Sequence, residues 1–223
     1  MLKSTSRKFF LASTVLLGFI FIGFYLHITN GMFDMSVAQI VKTLLGLDDN
    51  EKFRLVIFEF RLPRIVIAAL VGMGLAMAGV VLQGITKNGL ADPGILGINA
   101  GAGAAVVIFM YFFQFQVAWT DGSSWMKIMM MPMFGFVGGT LAAALIFFFA
   151  LKNGHLDMQR LILTGIAINS GFGALSMFIS LKMNESDYES AAVWQAGSIY
   201  NANWTFIVAM LPWIVILGVY VYR

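Results

Sequence analysis

The composition of this chain sets its class before any motif is considered. Its 223 residues are 60% hydrophobic and only 11% charged, with a mean hydropathy of +0.85 and a formal net charge of +3. A soluble domain of this size cannot bury that much apolar surface, so the sequence excludes a soluble globular protein and predicts lipid as its main solvent.

Six apolar stretches reach the roughly 20 residues that a membrane-spanning helix needs. The sequence therefore predicts an all-α fold, a polytopic transmembrane helical bundle of about six spans in a single domain covering residues 1–223. The predicted spans are Phe9–Leu26, Pro63–Thr86, Gly94–Phe113, Ile128–Ala150, Leu161–Leu181 and Trp204–Tyr222.

The first predicted span follows Lys3, Arg7 and Lys8, a pattern that imitates a signal peptide. No small-residue cleavage site follows it, so we interpret it as a retained helix. Positive charge before the span favours a cytoplasmic N-terminus, with cytoplasmic elbows at Lys87–Pro93 and Lys152–Arg160. With these three residues included, this orientation places seven lysines and arginines on each side, so charge supports it only in part.

Between the first two spans, the segment Asp34–Glu59 has an amphipathic pattern. Val37, Ile40 and Leu44 recur at helical spacing, and the pattern predicts a helix along the membrane surface. Arg61 and Arg64 follow it, flanking Pro63 at the start of a span and three residues apart on one helical face. Two hypotheses fit them equally by spacing: guanidinium groups that meet carboxylates of a partner, or anchors that snorkel to the interface.

The glycines of the predicted spans favour close packing of helices over ligand contact, because small residues let transmembrane helices approach one another. The set predicted to pack helices comprises Gly72, Gly79, Gly97, Gly101 and Gly103.

The elbow from Gln83 to Gly94 predicts a compact turn, since Pro and Gly punctuate it and Leu90-Ala91 interrupts its polarity. Gln83, Asn88 and Asn99 have two interpretations. They either connect helices or satisfy broken backbone beside a pathway through the membrane.

Several motifs in this order resemble a known family. They are R-x-P-R at Arg61–Arg64, A-x-x-x-G-x-x-L-A-x-A-G-x-x-x-Q ending at Gln83, N-x-L-A-x-P-x-x-L-G from Asn88, L-x-L-x-G-I-A from Leu161, and W-x-x-G-S from Trp194 followed by Trp204. Together they resemble the FecCD-type permeases of ABC importers for iron-siderophores and cobalamin, over roughly Phe60 to the C-terminus. One departure is Gly89, where the family commonly has proline.

The resemblance implies a transport subunit, not an enzyme, in the bacterial cytoplasmic membrane. Expected partners are a second permease subunit, cytoplasmic ATPase subunits that hydrolyse ATP, and an extracytoplasmic substrate-binding protein; nucleic acid, cofactor and metal site are not expected. The resemblance further implies that Arg61 and Arg64 dock the binding protein. It places near the translocation path Gln83, Asn88, Asn99, Asn169 and Ser170.

A ferric siderophore is the expected cargo, with cobalamin or haem as alternatives. Family members usually have ten spans, so the chain is expected to be truncated before the ATPase-coupling helix, and an inactive membrane subunit stays a hypothesis. A secondary transporter is another alternative, disfavoured by the scarcity of charge within the spans. Enzyme classes lack support, because His27 and His155 are far apart and H-E-x-x-H and phosphate-loop motifs are missing from the sequence.

Overall fold

The structure is a computed structural model that describes residues 2–30, 33, 35–48, 50–113, 124–200 and 202–223. Five of the described helices are long and apolar enough to cross a membrane. They are Arg7–Thr29, Glu51–Thr86, Ile128–Ala150, Met158–Ser180 and Trp204–Tyr222. The predicted all-helical, multi-pass architecture is therefore confirmed.

We number the elements in chain order. They are α1 (Leu2–Thr29), α2 (Val37–Leu44), α3 (Glu51–Leu55), a π-helical segment (Val56–Arg61), α4 (Leu62–Thr86), a 3₁₀ turn (Pro93–Leu96), α5 (Ile98–Phe112), α6 (Ser124–Ala150), β1 (Leu151–Lys152), β2 (His155–Leu156), α7 (Met158–Ser180), α8 (Glu185–Gln195) and α9 (Trp204–Tyr222).

The described chain divides into two compact units. The first comprises Met1–Leu70 and Ile199–Val208, and the second comprises Val71–Ser198 and Ala209–Arg223. The helices α4 and α9 therefore each contribute to both units.

In the second unit, α5 packs against α6 and α7, and glycines determine how close the helices come. A Cβ atom added to Gly101 would collide with the Cβ of Ala142 and lie 2.8 Å from the carbonyl oxygen of Gly138. Gly138 is equally restricted, because its added Cβ would collide with Ala105 and with the carbonyl oxygen of Gly101. Backbone meets backbone at this crossing, as small-residue contacts between membrane helices allow.

A second close approach joins the start of α5 to α7. Gly97 has a φ of +77°, and an added Cβ would lie 2.8 Å from both the amide nitrogen of Asn169 and the carbonyl oxygen of Gly165. An added Cβ on Gly165 would in turn lie 3.1 Å from the Cα of Leu96. Glycine at position 97 thus satisfies two demands at once, a left-handed backbone and a contact without a side chain.

The other glycines predicted to pack helices have more room. An added Cβ on Gly72, Gly79 or Gly103 meets no atom of the described chain within 4 Å. Of the five glycines predicted to pack helices, Gly97 and Gly101 therefore lie at close helix contacts within this chain, and the other three do not.

The predicted third span, Gly94–Phe113, is wrong at its start. Pro93–Leu96 forms a 3₁₀ turn that the Asp92 side chain caps by accepting a hydrogen bond from the Gly94 amide at 2.9 Å, and the left-handed Gly97 ends it. The α-helix begins only at Ile98 and has 15 residues. It is the short apolar helix of the bundle, below the length of the five spanning candidates.

The predicted second span, Pro63–Thr86, agrees with α4 within one residue, but the helix also extends backwards through the π-helical segment to Glu51. The π-helical segment explains how proline is tolerated inside it. The Leu62 amide donates to the carbonyl oxygen of Ile57, five residues back. The next bond of this five-residue pattern would join the amide of residue 63 to the carbonyl of Phe58, but Pro63 has no N–H to donate. The indole Nε1 of Trp204 supplies the missing donor, at 2.8 Å from that oxygen.

In the first unit, an apolar cluster joins the carboxyl end of α1 to the helices that follow it. Its buried members are Ile28, Met35, Ile40, Val56 and Ile57. The predicted surface helix corresponds to α2, where Ser36 and Gln39 form a capping box and Ile40 is buried. The predicted amphipathic segment Asp34–Glu59 is too long, since its last part is already the start of the long helix.

Two connections of the second unit differ from a simple loop. Asn153 and Gly154 both have positive φ, and this two-residue turn joins β1 to β2 with Leu151 opposite Leu156. After α7, the acidic stretch contains α8, which begins after the N-cap Asn184 and buries Ala191.

Gly101→Ala tests the crossing of α5 and α6, with Gly103→Ala as the matched control in the same helix. We expect Gly101→Ala to lower the free energy of unfolding by about 1–3 kcal/mol, because the new methyl group overpacks against Ala142. Gly103→Ala should be neutral or stabilising by up to about 1 kcal/mol, since alanine is the better helix former and meets no neighbour. Equal thermal stability of the two variants in detergent would contradict the described crossing.

Trp204→Phe tests the bond to the carbonyl of Phe58. We expect a loss of about 1 kcal/mol in the free energy of unfolding, because the oxygen loses its donor. In a Pro63→Ala background, the backbone N–H of residue 63 becomes available to the Phe58 carbonyl. Trp204→Phe should therefore lower the free energy of unfolding by less in that background. A double-mutant cycle of thermal stabilities measures this coupling, and strict additivity would show that the indole does not replace the donor that proline lacks.

Candidate functional site

Arg61 ends the π-helical segment and is buried, with 5% of its surface exposed. Its Nη1 donates to the carbonyl oxygen of Ile28, and its Nη2 donates to that of Phe33 at 2.7 Å. The Arg61 guanidinium is therefore engaged with the chain's own backbone. The docking role assigned to it stays a prediction that this geometry does not favour.

Arg64 is placed differently, although it lies only three residues further along. It is half-buried, and its Nε donates to the carbonyl oxygen of Tyr200 at 3.1 Å. The guanidinium also lies over the Tyr200 ring, 4.6 Å from the ring centroid. These contacts fix the direction of the side chain, and within the described part of the chain Arg64 forms no ion pair. A fixed guanidinium of this kind suits recognition of a carboxylate.

The elbow between α4 and the 3₁₀ turn is folded by local hydrogen bonds. The Asn88 amide donates to the carbonyl oxygen of Gln83 at 3.2 Å, and the Asn88 side-chain oxygen accepts from the Leu90 amide at 3.0 Å. Lys87 has a φ of +50°, which turns the chain at the end of α4. Asn88 thus satisfies backbone groups where α4 ends, which does not distinguish the two interpretations of the elbow.

Asn99, Asn169 and Ser170 lie near the close approach of α5 and α7. Asn99 is in the first turn of α5, two residues after Gly97, and the Asn169 backbone is the neighbour that Gly97 contacts. The Ser170 hydroxyl donates to the carbonyl oxygen of Ile166 at 3.0 Å, within its own helix. The structure thus brings the start of α5 close to the middle of α7. The side chains of Asn99, Asn169 and Ser170 are all exposed on this chain.

Gln83, Asn88, Asn99, Asn169 and Ser170 are all uncharged and exposed. They can form hydrogen bonds with a polar solute, but they offer neither a strong base nor an acid. Among the described residues, no group of three or more His, Asp or Glu is arranged to hold a metal ion. These side chains can therefore donate hydrogen bonds to a polar group and accept them from it.

Three features of the site were not predicted from the sequence. Tyr200 fixes Arg64, Trp204 replaces the donor that Pro63 lacks, and Gly138 completes the crossing with Gly101. The small-residue pair Gly138 and Ala142, four apart on α6, is a signal that could have identified the last of these.

Two relatives of this chain are named as iron permeases. It is 53% identical over 192 residues to the iron-uptake system permease protein FeuC of Bacillus subtilis, covering 86% of this chain and 56% of FeuC. It is 42% identical to the iron(3+)-hydroxamate import system permease protein FhuG of the same organism, covering 97% of this chain and 63% of FhuG. The chain thus spans about three fifths of the length of these relatives.

A cobalamin permease and a solved structure are similar as well. The cobalamin import system permease protein BtuC of Halobacterium salinarum is 32% identical, covering 74% of this chain and 42% of BtuC. A solved metal-chelate type ABC transporter in an inward-facing conformation matches with a TM-score of 0.64 and 28% identity, covering 91% of this chain and 57% of that one.

The family model described as the FecCD transport family matches residues 19–223, almost the whole chain. The resemblance carried by the arginine pair, the elbow and the tryptophan motif is thereby confirmed. This multi-pass membrane protein belongs to the FecCD transport family.

Proposed function

We propose that this chain is a permease subunit of an ABC importer that carries a ferric siderophore across the bacterial cytoplasmic membrane. The observation that supports this most is the 53% identity to an iron-uptake permease, together with the family match over residues 19–223. The second relative is named as a permease of an iron(3+)-hydroxamate import system, and iron(3+)-hydroxamate is a ferric chelate.

The proposed assembly contains a second permease subunit, cytoplasmic ATPase subunits and an extracytoplasmic substrate-binding protein. The N-terminus is cytoplasmic in this proposal, as the charge before α1 favours. ATP binding and hydrolysis by the partners would shift the permease pair between two conformations that expose the cargo path to opposite sides.

The proposed path runs along Gln83, Asn88, Asn99, Asn169 and Ser170. Their neutral polar side chains suit a bulky chelate, because weak contacts let the cargo leave again while a tight site would retain it. The exposure of all five on a single chain is compatible with a path completed by a second subunit.

In the proposed docking contact, Arg64 pairs with a carboxylate of the substrate-binding protein. Its side chain is held over Tyr200 and has no ion-pair partner among the described residues. Such a contact at a protein surface mainly steers the partner and fixes its register.

Cobalamin is the second candidate cargo. The 32% identity to a cobalamin permease favours it, because this relative matches over 74% of the chain. The lower identity places it behind a ferric chelate.

Uptake of a ⁵⁵Fe-labelled siderophore by iron-starved cells tests this proposal. Cells lacking the gene should lose uptake and regain it with the native gene. Arg64→Glu should lower the apparent affinity for the loaded binding protein by about tenfold, since it replaces attraction with repulsion. Arg54→Glu is the matched control, because Arg54 is exposed on the same long helix and is expected to be a solvated charge.

Unchanged iron uptake in the deletion strain would remove the ferric siderophore as cargo, and radiolabelled cobalamin would be measured next in the same cells. Equal effects of Arg64→Glu and Arg54→Glu would contradict the docking contact while leaving the cargo intact.

A further inference from the structure

The helix α1 has little to hold it in place. Its most apolar window has no residue buried within the described chain, so the side chains of that window are available to lipid. Among the described residues, its carboxyl end joins a core, where Ile28 packs in the apolar cluster with Val56 and Ile57. Lipid gives no hydrophobic preference for a protein neighbour over a lipid tail, so specific contacts at this end help to determine where α1 lies.

The carboxyl end of α1 has exposed backbone acceptors, as every helix end does. The carbonyl of Leu26 accepts from the backbone and side-chain nitrogens of Asn30, both at 3.0 Å. The carbonyl of Ile28 accepts from the Arg61 guanidinium. A cation at this end is also favoured by the helix dipole, which is negative there.

Arg61 bonds to two places at once. One side-chain nitrogen reaches Ile28, at the end of α1, and the other reaches Phe33, in the segment that leaves α1, at 2.7 Å. The guanidinium fork presents several donors from one rigid plane, so it can donate in two directions without moving, which a single hydroxyl group cannot do. A buried guanidinium is costly to leave without acceptors, so these bonds fix the relative position of the two segments.

We propose that Arg61 is the positioning residue of α1: it caps the carboxyl end of that helix and anchors it to the start of the long helix Glu51–Thr86. This inference concerns the chain itself and does not depend on which cargo is carried.

Cysteine labelling in the membrane tests the anchor, because the sequence contains no cysteine and each introduced thiol reports alone. Ile28→Cys reports the end of α1, where the native side chain is 5% exposed. Ile146→Cys, at a position 2% exposed on α6, reports the second unit. The measured quantity is the rate of reaction with a soluble maleimide.

Arg61→Met retains the length and packing of the side chain but removes its donors, whereas Arg61→Lys retains a cation with three donors. We expect Arg61→Met to raise the labelling rate at position 28 by about tenfold, the effect of about 1.4 kcal/mol less protection against local opening. Arg61→Lys should restore most of the protection. Arg64→Met, the matched control, should leave position 28 protected, and position 146 should stay protected in every variant.

Protection of position 28 in Arg61→Met would overturn the proposal, because the helix end would then be held without the guanidinium. Equal increases at positions 28 and 146 would also overturn it, since Arg61 would support the whole fold and not α1 in particular. Failure of Arg61→Lys to restore protection would overturn the capping of the helix end, because a cation with three donors would then not replace the guanidinium. None of these outcomes depends on iron uptake, so they stand apart from the test of the proposed function.

Discussion

Close backbone approach between helices is the constraint on which the second unit depends. Lipid tails are as apolar as the helix surfaces, so helices associate through tight packing and hydrogen bonds and not through a hydrophobic gain. Gly101 and Gly138 let α5 and α6 cross with their backbones in contact, and Gly97 and Gly165 do the same for α5 and α7. Because Gly97 also terminates the 3₁₀ turn, this packing determines where the elbow residues lie relative to α7.

The first unit depends on a related constraint, the satisfaction of backbone carbonyls where regular helix geometry is interrupted. Pro63 leaves the Phe58 carbonyl without its backbone donor, and α1 ends with its own acceptors unpaired. Side chains from elsewhere in the unit meet both needs, Trp204 at Phe58 and Arg61 at Ile28. Arg64 lies beside these contacts and is fixed by Tyr200, so the proposed docking group is supported by the same local architecture.

The sequence predicts the helices well where apolar length alone decides, as at Trp204–Tyr222, whose bounds agree fully. It differs where local backbone chemistry decides. Pro63 is a normal helix-start signal, yet the π-helical segment extends the helix backwards to Glu51, and residues 93–96 form a 3₁₀ turn before α5 begins. The burial of Arg61 could not be predicted, because its acceptors are carbonyls 28 and 33 residues earlier in the chain. The hairpin at Asn153-Gly154 was not predicted, although asparagine followed by glycine favours a two-residue turn between strands.

The energy source of transport is the most direct test of the proposed importer. Membrane vesicles from cells producing the native protein and its partners would be supplied with the ferric siderophore and its binding protein. The proposal expects accumulation of iron that requires ATP and persists when an ionophore collapses the ion gradients. Accumulation that proceeds without ATP and stops with the ionophore would contradict it and would indicate a secondary transporter.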